Sequence, residues 1–453
     1  MSIRPSRRQF LRQSTTAGFA LPLLLKTKRG LAATDRLNIA AVGVGGKGEG
    51  DIKDTSAGQN VVAICDVDER TLAKSQELYP KAKAYHDWRR MLEQQDIDAV
   101  TVSTPDHMHA PIAVSAMQLG KHVYVQKPMA HTIHEARRMQ ALATENGVVT
   151  QMGNQNHSGS AYQTVVKLVQ AGAIGKVHEA HTWSNRPFWP QGIERPSGSD
   201  PVPKWLHWDL WLGVAASRPF LGAESARSER GRRRSNRGVY HPFNWRGWLD
   251  FGVGALGDMG CHIIDPVVWS LELDAPRWVW SGGPGANGET YPEWAIIQYE
   301  FPGTKYTVSD SLRMTWYDGG KLPQPYLAQL PADEKMPANG CLFIGERGNL
   351  LCEHGGSPRL LPEPDFADYE IEPVAAQNHY QQWTSACKGD GKTSSHFDYS
   401  GPLTETVLLG TIANRFPSEK LVWDSETMKV SNRDDANPFV HKTYRDGWSV
   451  DGI

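Results

Sequence analysis

Lys127 and Pro128 close an apolar run at His122–Val125, and far downstream Asp258 and His262 stand four residues apart. A lysine fixed at the end of a buried strand keeps its ammonium near the sheet edge and partly desolvated. An Asp and a His four apart share one face where the segment is helical, and the carboxylate can orient the ring and tune its basicity. Oxidising a secondary alcohol needs a base for the hydroxyl proton and an acceptor for the hydride. These side chains provide the first and no side chain provides the second. By themselves Asp258 could equally cap a helix and His262 fill a core.

A place for a hydride acceptor lies near the start. The apolar run Ile39–Val42 breaks into Gly43, Gly45 and Gly48, a G-x-G-x-x-G spacing. The first glycine allows a tight turn, the second lets backbone approach a pyrophosphate, and the third lets the next helix pack on the strand. A second apolar run, Val61–Cys65, ends at Asp66, 23 residues after Gly43, where an acid would hold the adenosine ribose hydroxyls. Asp66 favours NAD over NADP, because it would repel a 2′-phosphate.

The elements that must position these groups alternate. Strands are expected at Ile39–Val42, Val61–Cys65, Ala99–Ser103, His122–Val125 and Val148–Met152, with helical patterns at His109–Leu119 and Ile133–Asn146. This alternation predicts a doubly wound parallel sheet, a Rossmann arrangement, with ligands beyond the C-terminal strand ends. Polar clusters fall at those ends: Thr104–His109, Val125–Pro128 and Gln151–His157. Past Asn156 the pattern changes. A helix at Ala161–Ala171 is followed by strands at Val177–Asn185, Trp294–Phe301, Tyr306–Ser309, Cys341–Ile344 and Gly348–Cys352, which predicts an α+β domain on a large, mostly antiparallel, open-faced sheet. Tryptophan and proline are dense from Trp183 to Trp248, which suits stacking on sugar rings and suits packing equally well. The expected division is 1–33 a signal, 34–155 the dinucleotide domain and 156–453 the substrate and oligomerisation domain.

Residues 1–33 read as an export signal. Ser6–Arg12 holds paired arginines, Ala17–Leu25 is mildly apolar, and Ala32 and Ala33 are small. This resembles a twin-arginine signal, whose pathway carries folded proteins to the periplasm. The apolar stretch is too short to span a bilayer. The segment holds seven of the 48 Lys and Arg and none of the 50 acids, leaving 41 against 50, a net of −9. That balance gives no nucleic-acid or membrane partner. The five cysteines, Cys65, Cys261, Cys341, Cys352 and Cys387, have neither C-x-x-C spacing nor an even count, so neither a metal knuckle nor a disulfide framework is expected. His107-x-His109 lacks a third spaced ligand, and no metal is expected there.

The glycine fingerprint, Thr104-Pro105-Asp106-x-x-His109, Lys127-Pro128 and the run Gly254–Pro266 occur in that order. Together they resemble the glucose–fructose oxidoreductase / inositol dehydrogenase (Gfo/Idh/MocA) family over about residues 35 to 450. The resemblance implies an NAD(P)-binding domain, an open-faced sheet domain, and dimers or tetramers joined through that sheet. It implies His262 as proton acceptor with Lys127 and Asp258 polarising and positioning hydroxyls, although the residues alone leave open whether Lys127 or His262 takes the proton. Gly43, Gly45, Gly48, Asp66, Thr104, Pro105, His109 and Lys127 are the cofactor-binding candidates. Asn154, His157, Trp183, Asn185, Arg186 and Arg246 are substrate-binding candidates, each balanced against ordinary packing.

Two departures stand out. The family usually has Glu before Lys-Pro, and here it is Gln126. If the two groups are close, loss of that charge should lower the lysine's pKa. The second is an arginine-rich insert, Glu224–Gly238, which reads as a solvated loop, with an anionic substrate or subunit contact as the alternative.

Three readings follow. The first is an NAD(P)-dependent dehydrogenase of a sugar, glycoside or cyclitol. In the periplasm, where free nicotinamide cofactor is scarce, it would retain its NAD. The second is an NAD-dependent glycosidase acting by transient ring oxidation and elimination. The third is a nicotinamide-binding protein without catalysis.

Overall fold

The computed structural model describes residues 36–223, 238–331 and 333–453. The signal-like segment lies outside them, as does the arginine-rich insert apart from Gly238. Among the described residues no helix is long and apolar enough to cross a membrane.

The N-terminal part is a six-stranded, wholly parallel sheet, order β3-β2-β1-β4-β5-β6. Its strands are β1 (Asn38–Val42), β2 (Asn60–Cys65), β3 (Lys83–Tyr85), β4 (Ala99–Val102), β5 (His122–Val125) and β6 (Thr150–Met152). The central strands are short apolar runs because both faces are covered. Crossover helices include α1 (Lys47–Thr55), α2 (Glu69–Leu78), α3 (His109–Gln118) and α4 (Ile133–Glu145). Helix α4 begins with a full capping box, Thr132 against Glu135. The edge strand β3 is largely exposed and too short to give a period, so the sequence pattern passes over it.

Helix α5 (Ser160–Gln170) leads into a nine-stranded sheet, order β13-β12-β11-β7-β10-β9-β8-β14-β15. Every pairing is antiparallel except β7 (Val177–Trp183) with β10 (Ser311–Tyr317). The other strands are β8 (Trp278–Gly282), β9 (Ile296–Pro302), β11 (Gly340–Gly345), β12 (Asn349–Glu353), β13 (Pro358–Leu361), β14 (Lys420–Asp424) and β15 (Lys429–Val430). The strand expected at Tyr306–Ser309 is instead the connection between β9 and β10. Thr307 Oγ1 accepts from the Thr304 amide at 2.8 Å and Gly303 N–H donates to Asp310, so the backbone turns there, and a single bridge from Thr307 to Val177 remains.

One face of this sheet is closed. Val279, Ile297, Tyr299, Phe301, Leu312, Met314 and Trp316 alternate into a core shared with α6 (Gly254–Ile263), α7 (Asp265–Leu271) and the long helix α9 (Phe397–Ala413). Between them comes α8 (His379–Cys387), against α1 and the back of β5. Helix α9 packs on both α4 and α6, which makes the two sheets one continuous apolar core and sets α6 opposite the β5 end. The other face, with Trp278, Trp280, Ile296 and Tyr317, is only partly covered.

Candidate active site

The glycine turn is built by sterics. Gly43 has φ +78°, and a Cβ there would lie 2.6 Å from the Ser103 carbonyl oxygen of the neighbouring strand end. At Gly48 a Cβ would lie 1.8 Å from the Gly43 oxygen, so only glycine lets α1 seat against the turn. Asp66, just past β2, accepts from the Val44 amide (3.0 Å) and the Asp68 amide (2.9 Å), which aims it back across the turn. Burial pushes its carboxyl up, and the two amides pull it down in part. Gly43, Gly45, Asp66, Thr104, Pro105, His109 and Lys127 all line one cavity of about 660 Å³. Gly48 does its work behind that wall, as packing. Thr104 Oγ1 is buried there without a hydrogen-bond partner. A glycine turn at a helix N-terminus, a facing carboxylate and an orphaned hydroxyl fit a dinucleotide.

Strand ends are tied together around His109, whose ring nitrogens lie 2.9 Å from the Thr104 oxygen and 2.8 Å from the Pro128 oxygen. Burial pulls this histidine down to about 4, so it sits neutral and donates to only one of the two carbonyls. Its contacts hold Thr104 beside Lys127. His107 has a different environment, with its ring against the Phe251 and Trp211 carbonyls. Among the described residues, Glu69, His86 and His207 bring ligand-type atoms within 4.8 Å of one another, but His207 Nε2 lies against Glu69 (3.3 Å) and its ring packs tilted on that of His86 (4.2 Å).

Across the cavity stands α6. Asp106 Oδ2 accepts from the Val253 amide at 3.1 Å and so fixes the head of that helix to the β4 end. Lys127 Nζ donates to the Asp258 carbonyl (2.5 Å) and to Asp258 Oδ1 (3.0 Å), joining residues 131 apart in sequence. Arg246 Nε lies 3.4 Å from Oδ1 and Arg186 Nε 3.5 Å from Oδ2. Burial works to raise the Asp258 carboxyl, but Lys127, Arg246 and Arg186 outweigh it and hold it at about 2. One turn on, His262 also lines the cavity. Burial, then Lys127 and His354, keep it well below its ordinary value, hence neutral, and its buried Nδ1 has no partner.

Of the substrate-binding candidates, Arg186 and Arg246 line the cavity, and Asn154, His157, Trp183 and Asn185 do not. His157 is buried, stacked on Trp269 (3.9 Å) with Nδ1 3.0 Å from Asp265, and Asn154 donates to the same carboxylate at 3.2 Å. Trp183 donates from Nε1 to Pro337 and packs with Leu342 and Leu351. Asn185 is exposed and accepts from Arg186 Nη1 at 2.6 Å.

Gln126 departs from expectation. Its amide donates to Asp51 Oδ2 at 2.8 Å, and buried Asp51 is also bonded to half-buried Ser103 and exposed Lys47, while the Lys127 ammonium is bonded to Asp258. Its side-chain amide therefore faces α1, and its contact with Lys127 is to the backbone amide, at 3.4 Å.

Three cavity residues carry no sequence signal. His354 follows β12, with Nδ1 2.8 Å from the Tyr162 hydroxyl and its ring 5.4 Å from that of His262. Asn339 accepts from Ser184 Oγ and the Asn185 amide, bracing the end of β7. His241 reaches Asp68 at 3.1 Å beside the Asp66 wall. Only Asp106 could have been found, in the Thr104–His109 cluster.

A six-stranded parallel sheet with this turn and facing acid, closed by a cavity shared with a second sheet, defines a two-domain nicotinamide-dependent oxidoreductase fold. Comparison with known families agrees. Residues 37–154 match the Gfo/Idh/MocA model described as oxidoreductase family, NAD-binding Rossmann fold, and residues 159–308 match its C-terminal alpha/beta domain. The chain belongs to that family. It is 33% identical over 91 residues to levoglucosan dehydrogenase of Pseudarthrobacter phenanthrenivorans, covering 20% of this chain and 23% of that one. It is 28% identical over 224 residues to glycosyl hydrolase family 109 protein 2 of Shewanella sp. strain ANA-3, covering 43% and 49%. The chain thus spans from about a quarter to a half of the length of the curated relatives it matches. Among solved structures, the WlbA dehydrogenase of Bordetella pertussis, in complex with NADH and UDP-GlcNAcA, superposes with a TM-score of 0.59 at 16% identity, covering 86% of this chain and 99% of that one.

Proposed function

We propose that the protein oxidises, or in reverse reduces, a secondary alcohol of a sugar, glycoside or cyclitol with NAD, and with NADP less readily. The observation that carries this reading is Lys127 bonded to Asp258 with neutral His262 one helical turn on, all lining the cavity that holds the glycine turn. Bound NAD supplies hydride transfer. Gly43–Lys47, Asp66 and Thr104 would hold it. Lys127, with two of its N–H groups on Asp258, has a third for the substrate hydroxyl. His262, neutral, accepts the hydroxyl proton. Asp258 orients Lys127 and stays ionised throughout.

Three further parts of the proposal rest on sequence and surface. The paired arginines at Arg7 and Arg8 support twin-arginine export to the periplasm, and such an enzyme would best retain its cofactor. The partly covered sheet face with Trp278 and Trp280 supports a homodimer or homotetramer. The divisions at 33 and 155 follow the change in pattern.

The test is single turnover on purified protein without added cofactor. Sugars, glycosides and cyclitols are mixed in while reduced-nicotinamide absorbance is followed. A stoichiometric rise, lost by about a hundredfold or more in Lys127→Ala and His262→Ala, is expected. Silence with NAD released on denaturation would defeat simple oxidation.

A second reading, an NAD-dependent glycosidase, is favoured by one observation. His354 stands beside His262, and burial with Arg186 and Lys127 pulls it down too, so the cavity holds two neutral proton carriers. Release of free aglycone without net NADH would select this reading.

A further inference from the structure

We infer that the substrate carries an anionic group, a carboxylate or phosphate monoester on the polyol, received by Arg186 and Arg246. The inference rests on the oxidoreductase reading of this cavity and names its substrate class. Three cations, Lys127, Arg186 and Arg246, converge on the single carboxylate of Asp258 within 3.5 Å. The other acid in the group, Asp106, is turned to the Val253 amide, and burial lifts its carboxyl to about 7. His262 and His354 are neutral. Around Asp258, three cations therefore face one ionised carboxylate and one that is about half protonated near neutral pH, which leaves more than one positive charge in excess.

Neither guanidinium is loose. Arg246 lies over Trp245 (4.3 Å) and Phe243 (4.5 Å), and Arg186 over Phe188 (4.0 Å). Their side chains are only 22% and 23% exposed. Each spends Nη1 on a neighbour, Arg246 on the Phe243 carbonyl (3.1 Å) and Arg186 on Asn185 (2.6 Å). Neither Nη2 has a partner among the described residues. Charge in a half-desolvated wall is costly unless compensated, and a guanidinium edge matches a carboxylate or phosphate in shape and charge. A neutral polyol would leave that excess uncompensated. An anionic one supplies the counterion and is turned with its anionic end toward the arginines.

The experiment is titration of the NAD-loaded protein with D-glucuronate, D-gluconate, D-glucose 6-phosphate, D-glucose and myo-inositol. Binding is read by calorimetry and oxidation by reduced-nicotinamide absorbance. We expect at least one anion to bind about tenfold or more tighter than its neutral counterpart, with affinity falling as salt rises. Arg186→Gln and Arg246→Gln should erase the preference while NAD affinity is kept. The sugar acids against the sugar phosphate tell which anion is read. Equal or tighter binding of neutral polyols, or a preference that survives both substitutions, would overturn the inference, as would loss of NAD affinity in its place. Oxidation of neutral polyols alone would overturn it and leave the oxidoreductase reading intact. Tight anion binding without oxidation of any ligand would uphold it and count against that reading.

Discussion

Gln126 Nε2 donates to Asp51 Oδ2 at 2.8 Å, linking the end of β5 to α1 beneath the glycine turn. Asp51 is fully buried and also accepts from Ser103 Oγ (2.8 Å) and Lys47 Nζ (2.6 Å). The acid of this pair thus lies on α1, with the Gln126 amide as its donor. Gln126→Glu would set two buried carboxylates against each other. We expect it to cost about 2 kcal/mol or more in urea denaturation, with much of that recovered in the Asp51→Asn/Gln126→Glu double variant. A single variant as stable as the parent would contradict this pairing.

Asp106 should leave a mark on stability against pH. Burial raises its folded carboxyl to about 7, with Asp258 adding to it and Lys127 and Arg246 opposing. The folded protein then keeps a proton that the unfolded chain has released above about 4. The Asp106 contribution to stability therefore falls as pH rises from about 4 to about 7 and levels off above. Asp106→Asn keeps an acceptor for the Val253 amide and removes this contribution. The Tm of the variant relative to the parent should rise with pH over that range, while buried Asp318, raised to about 7, and buried His109, lowered to about 4, act on both proteins alike. An unchanged slope would show that Asp106 does not hold its proton.

Asp258 has the opposite sign. Its folded carboxyl, held at about 2 chiefly by Lys127 and Arg246 against burial, stabilises the fold above the ordinary carboxylate range, and this is lost as pH falls through about 2. Asp258→Asn should then flatten acid unfolding below pH about 4. It should also lower single-turnover oxidation by roughly a hundredfold as Lys127 loses its orienting partner. Full activity in that variant would remove Asp258 from the proposed machinery.

His354→Phe separates the two neutral histidines. Its loss frees the Tyr162 hydroxyl and opens the wall beside His262. If His354 only shapes the cavity, KM should rise with kcat kept. If it carries a proton, as the glycosidase reading requires, kcat should fall by about a hundredfold with its pH profile changed.

The open sheet face offers a test of assembly. Trp280 alternates outward from Val279 and Ser281, which are buried. Trp280→Glu should lower the molar mass seen by light scattering without unfolding the core, since the residue already sits outside it. The same mass before and after would remove this face as a subunit contact.

The parts of this protein that its sequence determined are those made of local patterns. Gly43, Gly48 and Asp66 fall within a strand–turn–helix–strand unit, where backbone sterics dictate the residue at each step. The alternation from Ile39 to Met152 leaves one reasonable sheet because parallel strands buried on both faces read as apolar runs. Antiparallel strands leave weaker traces, so the sequence pattern passes over β8, β10, β13, β14 and β15 and puts a strand at the Tyr306–Ser309 turn. What only the tertiary structure decided is direction and company. Asn154 and His157 stand at a strand end like Lys127, yet they turn to Asp265 in the core, because no linear spacing says which way a side chain points after the last hydrogen bond of a strand. The meeting of Lys127 with Asp258, 131 residues on, and the arrival of Arg186, Arg246 and His354 around it depend on α9 packing α4 and α6 into one core. Charges gathered that way acquire their pKa values from burial and from neighbours distant in the chain, and those are properties of the packed core alone.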